Sequence, residues 1–428
     1  MPGARPCRKT GRAFVVAGAA GCLVGLVGGG FRWCLEHADR LRASFVEAAA
    51  GLGVMGWLVP VALCAVGAAV ACVIAQRVPH AAGSGIQHVE AVWRQESGPC
   101  SLWLLPAKFI GGLIAIGSGL VLGREGPIVH MGAAIGFVAG RRSRLDAEDA
   151  RLLHTALGGA GLAAAFTAPL AGLLFVCEEV TRTIRPRLVL LTLVGTVTAV
   201  VCSRLLVGGA TAFPVPGIPA APVWMLPVFL LFGVAAGALG AAYSALVVRT
   251  LDACDRLTRV PLTVRAAAIG AVVGALMAVD PLLTGGGDPL SRRLLAGGSM
   301  TVVALVTFLA VRFVAGPLSY AAATPGGLFA PLLALGALWG TLAHALASPL
   351  LPARASGPAA FAVVGMAALF TGVVLAPLTG VVLVVEMTGT AVLMVPLLIA
   401  CFAATVTADW LESEPIYDSL RRRILERP

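Results

Sequence analysis

Ala168-Pro169-Leu170-Ala171-Gly172 leads through five residues to Glu178, and Ala376-Pro377-Leu378-Thr379-Gly380 leads through five residues to Glu386. Six of the eleven positions are identical, where apolar composition alone gives about one. Moving outward, each half carries a second match. Gly123-Arg124-Glu125-Gly126-Pro127 is followed by Gly132 and Gly136, and Gly327-Leu328-Phe329-Ala330-Pro331 by Gly336 and Gly340 at the same spacing. The offsets are 208 and 204 residues, so the two matches agree within a four-residue indel. The chain therefore reads as an internal duplication. Residues 1–207 form the first half, the Pro- and Gly-rich segment 208–222 the connection, and residues 223–428 the second half of a single transmembrane domain.

The surrounding composition says where such a chain lives. Hydrophobic residues make up 58% and charged residues 12%, against about 25% charged in soluble domains. A soluble fold of this length would expose too much apolar surface, which excludes an ordinary soluble enzyme, a disordered chain and a nucleic-acid-binding module. Apolar segments lie near 13–31, 51–77, 104–122, 127–140, 155–177, 187–207, 223–247, 265–283, 300–320, 329–349, 358–375, 377–388 and 392–410. A perpendicular span takes about 20 residues, so several of these stop short. Broken helices at membrane depth survive only where they are buried in protein or line a polar cavity. Repeats built from broken helices mark transporters, with the substrate near the midplane. The expectation is an all-α polytopic membrane protein. Ala13 to Gly30 has a basic start but no cleavage site, so it reads as a retained first helix rather than a signal peptide. The charged run Arg141 to Arg151 reads as a solvated loop.

The net charge of +10 is placed at the ends. Arg5, Arg8, Lys9 and Arg12 precede the first apolar stretch, and Arg421, Arg422, Arg423 and Arg427 close the chain. Basic flanks put both termini on the cytoplasmic side, and no nucleic acid is expected as a partner. The ten cysteines show no ligand spacing and read as small buried hydrophobes. The six histidines are scattered along the chain, so no metal is assigned.

Three Gly-rich breaks open apolar segments: Gly83-Ser84-Gly85-Ile86-Gln87, Gly123 to Pro127, and Gly326 to Pro331. In the second and third, proline stands in the first helical turn, where its missing N–H is harmless. Bare N–H groups at a helix start, with the positive end of its dipole, make an anion site. The alternative for any one break is an ordinary turn at the membrane surface. Glu125 lies inside the second break. An intramembrane acid costs about 2.5–3.5 kcal/mol on insertion scales and is functional by default. Its carboxylate competes for the helix-start site that an anion wants, so protonation releases the site; alternatively it is a fixed cap. Glu178 and Glu179 end an apolar run, and neighbours on a helix point about 100° apart, so at most one faces a pathway. Because Glu386 repeats Glu178, those two read as structural and Glu179 as a proton carrier; the alternative is a pair of interfacial acids. Tyr417 offers a hydroxyl to an anion or sits as an interfacial tyrosine. Lys108 stands in an apolar segment as an offset to buried acids, and Arg312 as a second such cation or a snorkelling one.

These residues carry a resemblance to the CLC family of chloride channels and proton-coupled chloride transporters. Gly83-Ser84-Gly85-Ile86 looks like its GSGIP motif, Gly123 to Pro127 is its GREGP motif, and Gly327 to Pro331 resembles GxFxP. The Glu178-Glu179 pair and Pro415-x-Tyr417 follow in the family's order. The resemblance implies a CLC-like fold of two inverted halves with broken and tilted helices, and a homodimer in a bacterial inner membrane, each subunit with its own pathway. It also implies that Ser84, Tyr417 and the backbone N–H groups of Leu328 and Phe329 coordinate the anion. Gly83, Gly85, Gly123, Arg124 and Gly126 would then supply path backbone, Glu125 the external gate, and Glu179 the internal proton transfer typical of exchangers. Gln87 departs from the family's proline, and His88 stands where an acid is common. Ser84 is kept, where nitrate-preferring relatives carry proline, which points to chloride. No cytoplasmic CBS pair is expected after Tyr417.

The function expected is voltage-sensitive, electrogenic chloride/proton antiport in a lipid bilayer, with no cofactor and no enzyme activity. A passive gated chloride channel on the same fold is the nearest alternative. An intramembrane hydrolase using Ser84 and His88 is a distant one, since serine and histidine four residues apart on one helix do not form an attack geometry and no orienting third group is evident.

Overall fold

The computed structural model describes residues 5–51, 53–215, 217–350, 352 and 355–426; Arg427, read above as part of the basic tail, lies outside them. The first half contributes α1 (Arg5–Ala50), α2 (Leu58–Gln76), α3 (Ile86–Trp93), α4 (Leu104–Gly117), α5 (Glu125–Arg142), α6 (Ala147–Phe166), α7 (Pro169–Phe175) and α8 (Pro186–Val207). The described residues between 208 and 222 carry no helix. The second half contributes α9 (Leu226–Asp255), α10 (Leu262–Val279), α11 (Asp288–Leu295), α12 (Val302–Tyr320), α13 (Phe329–Ala347), α14 (Pro358–Val374), α15 (Pro377–Thr388), α16 (Met394–Trp410) and α17 (Ile416–Leu425). Among the described residues there is no strand, only two isolated bridges. Among the described residues seven helical segments are long and apolar enough to cross a membrane, and α4, α14, α15 and α16 are shorter apolar helices.

Helix pairing repeats with a step of eight elements. α5 packs on α6 and α13 on α14; α1 packs on α8 and α9 on α16; α2 packs on α4 and α10 on α12. The repeated glycines explain the first of these pairs. A Cβ on Gly132 or Gly136 would stand 2.4 and 2.3 Å from the carbonyl oxygens of Leu157 and Leu153 on α6. On Gly336 or Gly340 it would stand 2.4 and 2.0 Å from those of Gly365 and Phe361 on α14. Small residues four apart let backbones touch, which is how helices associate where water supplies no driving force.

The halves are joined across the repeat axis by α2 against α10 and α7 against α15. The second contact shows the inversion directly. Glu178, past the end of α7, accepts hydrogen bonds from the N–H groups of Leu378 and Thr379 at the start of α15, at 3.0 and 2.7 Å. Glu386, near the end of α15, accepts from Leu170 and Ala171 at the start of α7, at 3.1 and 2.8 Å. The two helices lie antiparallel, each supplying the acid that caps the other.

Two expectations are corrected. The first helix does not stop near residue 31 but continues to Ala50. No glycine or proline interrupts Phe31 to Ala50, and arginines there find backbone carbonyls. Arg32 is buried and donates to the Ala164 carbonyl, while Arg42 donates to that of Gly117 at 3.0 Å. The run Arg141 to Arg151 is no extended loop. Arg141 and Arg142 close α5, and Asp146 caps α6 by accepting the Asp149 N–H at 2.8 Å. Basic residues at one helix end and acidic residues at the next helix start both match the helix dipole, so only residues 143–146 turn.

Candidate functional site

The three Gly-rich breaks, far apart in sequence, meet at one place. Gly83 donates to Thr324 O and accepts from the Gly326 N–H, at 2.9 and 3.1 Å, while Gly123 and Gly327 exchange both bonds at 2.7 and 2.8 Å. From this crossing start α3, α5 and α13, whose first N–H groups have no partner inside their own helices. Gly85 enters α3 with φ of 92°, a conformation open to glycine at little cost. A Cβ on Gly126 would stand 2.2 Å from Ser84 Oγ, so glycine there is required by how closely two helix starts approach.

The crossing is lined by the residues the motifs singled out. Ser84, Glu125, Leu328, Phe329 and Tyr417 are all fully buried. Glu125 reaches across to α13 and accepts the Ala330 N–H with Oε2 at a long 3.4 Å; Oε1 has no hydrogen-bond partner. Ser84 Oγ and Tyr417 Oη are likewise buried without partners. The Tyr417 ring stacks on Phe329 at 6.0 Å between centroids. Arg124 turns from the crossing and donates to Asp288 at 2.8 Å. With Glu125 and Asp288 it lines a cavity of about 40 Å³. A separate cavity of about 180 Å³ is lined by Gly83, Gly85, His88, Tyr320 and Arg423.

Glu178 and Glu179 fall in a single π-helical turn, Val176–Val180, a widening frequent at functional positions. It sends Glu178 to the α15 cap and buries Glu179, whose Oε1 has no hydrogen-bond partner. Glu90 is a residue that the sequence analysis missed. It is fully buried on α3, neither oxygen has a hydrogen-bond partner, and Arg421 Nε lies 3.8 Å away. Every residue from Ile86 to Val92 is buried, which the three polar side chains in that stretch conceal at the level of sequence.

Both intramembrane cations serve carbonyls. Lys108 Nζ donates to Gly83 O at 2.7 Å and Ser84 O at 3.2 Å, fixing the first break rather than offsetting an acid. Arg312 neither snorkels nor pairs with an acid; it is fully buried and donates to the carbonyls of Leu282, Thr284 and Gly285. Gln87, in place of proline, accepts the Gly85 N–H and donates to Tyr320 Oη, which also accepts the Ser84 N–H. Its amide thus preserves the break geometry with side-chain bonds.

Tyr417 is held by the ion pairs of α17. Asp418 accepts from Arg182 at 2.5 Å, Arg421 at 3.0 Å and Arg94 at 3.3 Å, and Arg421 also pairs with Glu96 at 2.5 Å. Burial pushes the Asp418 carboxyl up, but the Arg421 hydrogen bond and the charges of Arg182 and Arg94 outweigh it and hold it below its ordinary value. Arg422 pairs with Glu414, and Arg423 with Asp252 and Asp255. The basic tail is therefore a docked, paired helix.

The profile described as "Voltage gated chloride channel" matches residues 66–409. The chain belongs to the CLC family. It is 36% identical to the H(+)/Cl(-) exchange transporter ClcA of Vibrio parahaemolyticus over 420 residues, covering 96% of this chain and 90% of the relative. It is equally identical to ClcA of Klebsiella pneumoniae, covering 96% and 89%. The crystal structure of a slow cyanobacterial Cl-/H+ antiporter superposes with a TM-score of 0.90 at 29% identity, covering 97% of this chain and 98% of the other. This CLC protein is a multi-pass membrane protein of two inverted, repeated halves. The hydrolase alternative fails on geometry, because His88 turns to His130, Ser97 and Cys100 and leaves Ser84 Oγ without a partner. Two of the histidines expected to be scattered are thus gathered beside a cysteine.

Proposed function

We propose that this CLC protein is an electrogenic chloride/proton antiporter, with Glu125 as the protonatable gate and Glu179 as the proton-transfer carboxyl on the other side of the anion site. The observation that carries this reading is the pair of buried hydroxyls, Ser84 Oγ and Tyr417 Oη, left without partners beside converging helix starts. Buried donors are ordinarily satisfied; a dehydrated anion accepts from both, and from the N–H groups of Leu328 and Phe329, without needing a full counter-charge. Glu125 occupies the same N–H end of α13, so anion and carboxylate compete. Protonation removes that competition and carries a proton inward. The names borne by the relatives support chloride and protons as the transported ions. Glu179, present at the buried end of the turn, favours exchange over passive conduction.

Within this reading the protein is a homodimer in a bacterial cytoplasmic membrane, with both termini on the cytoplasmic side, supported by family membership and by the basic residues near the ends. Transport itself uses no cofactor. The two halves are connected in sequence through residues 208–222. The test uses liposomes containing only this protein: a chloride gradient is imposed, internal pH is followed, and voltage is clamped with valinomycin and potassium. Protons moving uphill under clamp are expected. Anion flux without uphill protons would replace exchange with a channel.

A further inference from the structure

We propose that His88, Cys100 and His130 form a binding site for a borderline-soft transition-metal ion, with Zn²⁺ as the principal occupant. The three residues come from three elements: His88 from α3, His130 from α5, and Cys100 from the loop between α3 and α4. Their donor atoms converge to within 4.8 Å of one another. His130 Nε2 lies 3.1 Å from His88 Nδ1, Cys100 Sγ lies 3.5 Å from His130 Nε2, and Cys100 Sγ lies 3.6 Å from His88 Nδ1.

Those three edges have the shape of one face of a tetrahedron. With about 2.0–2.1 Å to nitrogen and about 2.3 Å to sulfur, a tetrahedral ion spaces two nitrogens by about 3.4 Å and nitrogen from sulfur by about 3.6 Å. Only the His–His edge must open, by a few tenths of an ångström. The donor set of two imidazoles and one thiolate suits zinc and disfavours magnesium or calcium, which require oxygen.

The surroundings fit a ligand set. Both histidines are buried, at 1% and 0% exposure. Ser97 Oγ lies 3.3 Å from His88 Nε2, which orients the ring and leaves Nδ1 facing the cluster, as metal-bound imidazoles are ordinarily held through their other nitrogen. The His80 ring stacks on His88 at 4.2 Å. Both rings border the 180 Å³ cavity, which gives an ion a route to the site. Binding converts the Cys100 thiol to a thiolate and releases its proton to solvent. Three protein donors leave a fourth position for water. A bound ion ties α3 to α5, the two helices whose starts carry Ser84 and Glu125.

The test is direct binding to the purified, reduced, untagged protein, independent of transport. Co²⁺, used as the probe, is expected to bind one per chain with tetrahedral ligand-field bands and a thiolate-to-cobalt charge-transfer band, and Zn²⁺ is expected to displace it one for one. Cys100→Ser, which keeps size and fold, should remove the charge-transfer band and weaken binding by more than about 100-fold, beyond what loss of an orienting partner costs. Cys254→Ser, on the wall of the same cavity, should leave the band unchanged. Absence of the band in the parent protein, or its survival in Cys100→Ser, overturns the assignment.

Discussion

Glu125 and Glu178 are both carboxylates set against the start of a helix from the opposite half, and their bonding separates them. Glu178 accepts three hydrogen bonds, from Leu378 N, Thr379 N and Thr379 Oγ1, at 2.7 to 3.0 Å. Glu125 accepts one long interhelix bond and leaves an oxygen bare. On the proposed reading, one is a fixed cap and the other a movable occupant. Glu125→Gln is therefore expected to keep anion flux and abolish uphill proton movement in liposomes. Retained coupling would remove its role as gate. Glu178→Gln turns an amide group towards bare N–H donors, so a loss of about 1–3 kcal/mol is expected, read as a lower melting midpoint in detergent, with coupling intact. Glu386→Gln should match it. The contrast between Glu178 and Glu179 was legible because the repeat aligned Glu386 with the first of them. Glu90 had no such counterpart, and its burial comes from α17 and the π turn, which no local pattern announces. His88, Cys100 and His130 were hidden for the same reason: their spacing of 12 and 30 residues forms no motif until α3, α5 and a loop pack together.

At the scale of elements, α17 shows how a charged helix presents a buried tyrosine. A carboxyl held below its ordinary value stabilises the docked helix above its unfolded pKa, and that contribution fades as pH falls through the folded value. For Asp418 the window thus lies below the ordinary aspartate range. Asp418→Asn is expected to loosen α17 already at neutral pH, measured as faster amide exchange over residues 416–425, and to remove the acid-side change that the parent shows. The helix pairs α5–α6 and α13–α14 make a second prediction. Gly136→Ala and Gly340→Ala place a methyl against backbone and should each cost about 1–3 kcal/mol. Gly30→Ala, with nothing within 4 Å, should be neutral or slightly stabilising. The broken helix starts were legible from Gly and Pro spacing. The full length of α1 was not, because the carbonyl partners of Arg32 and Arg42 come from α6 and α4, far away in sequence.

At the scale of the whole molecule, the crossing borrows from both halves: Ser84 and Glu125 from one, Phe329 and Tyr417 from the other. Neither half alone assembles the site. Co-expression of residues 1–215 with 217–428 as separate chains is expected to yield a co-purifying, transporting pair, because α2–α10 and α7–α15 provide contacts that do not need the connection. Failure of the pieces to co-purify would make the covalent connection essential to assembly. The exchange of caps between α7 and α15 also bears on ancestry. An unduplicated half would hold one orphaned glutamate and one uncapped helix start, and two such halves remedy each other only when one is inserted upside down. The reciprocal bonds of Glu178 and Glu386 are thus the contacts that two antiparallel copies of one such half would make with each other, carried here within a single chain.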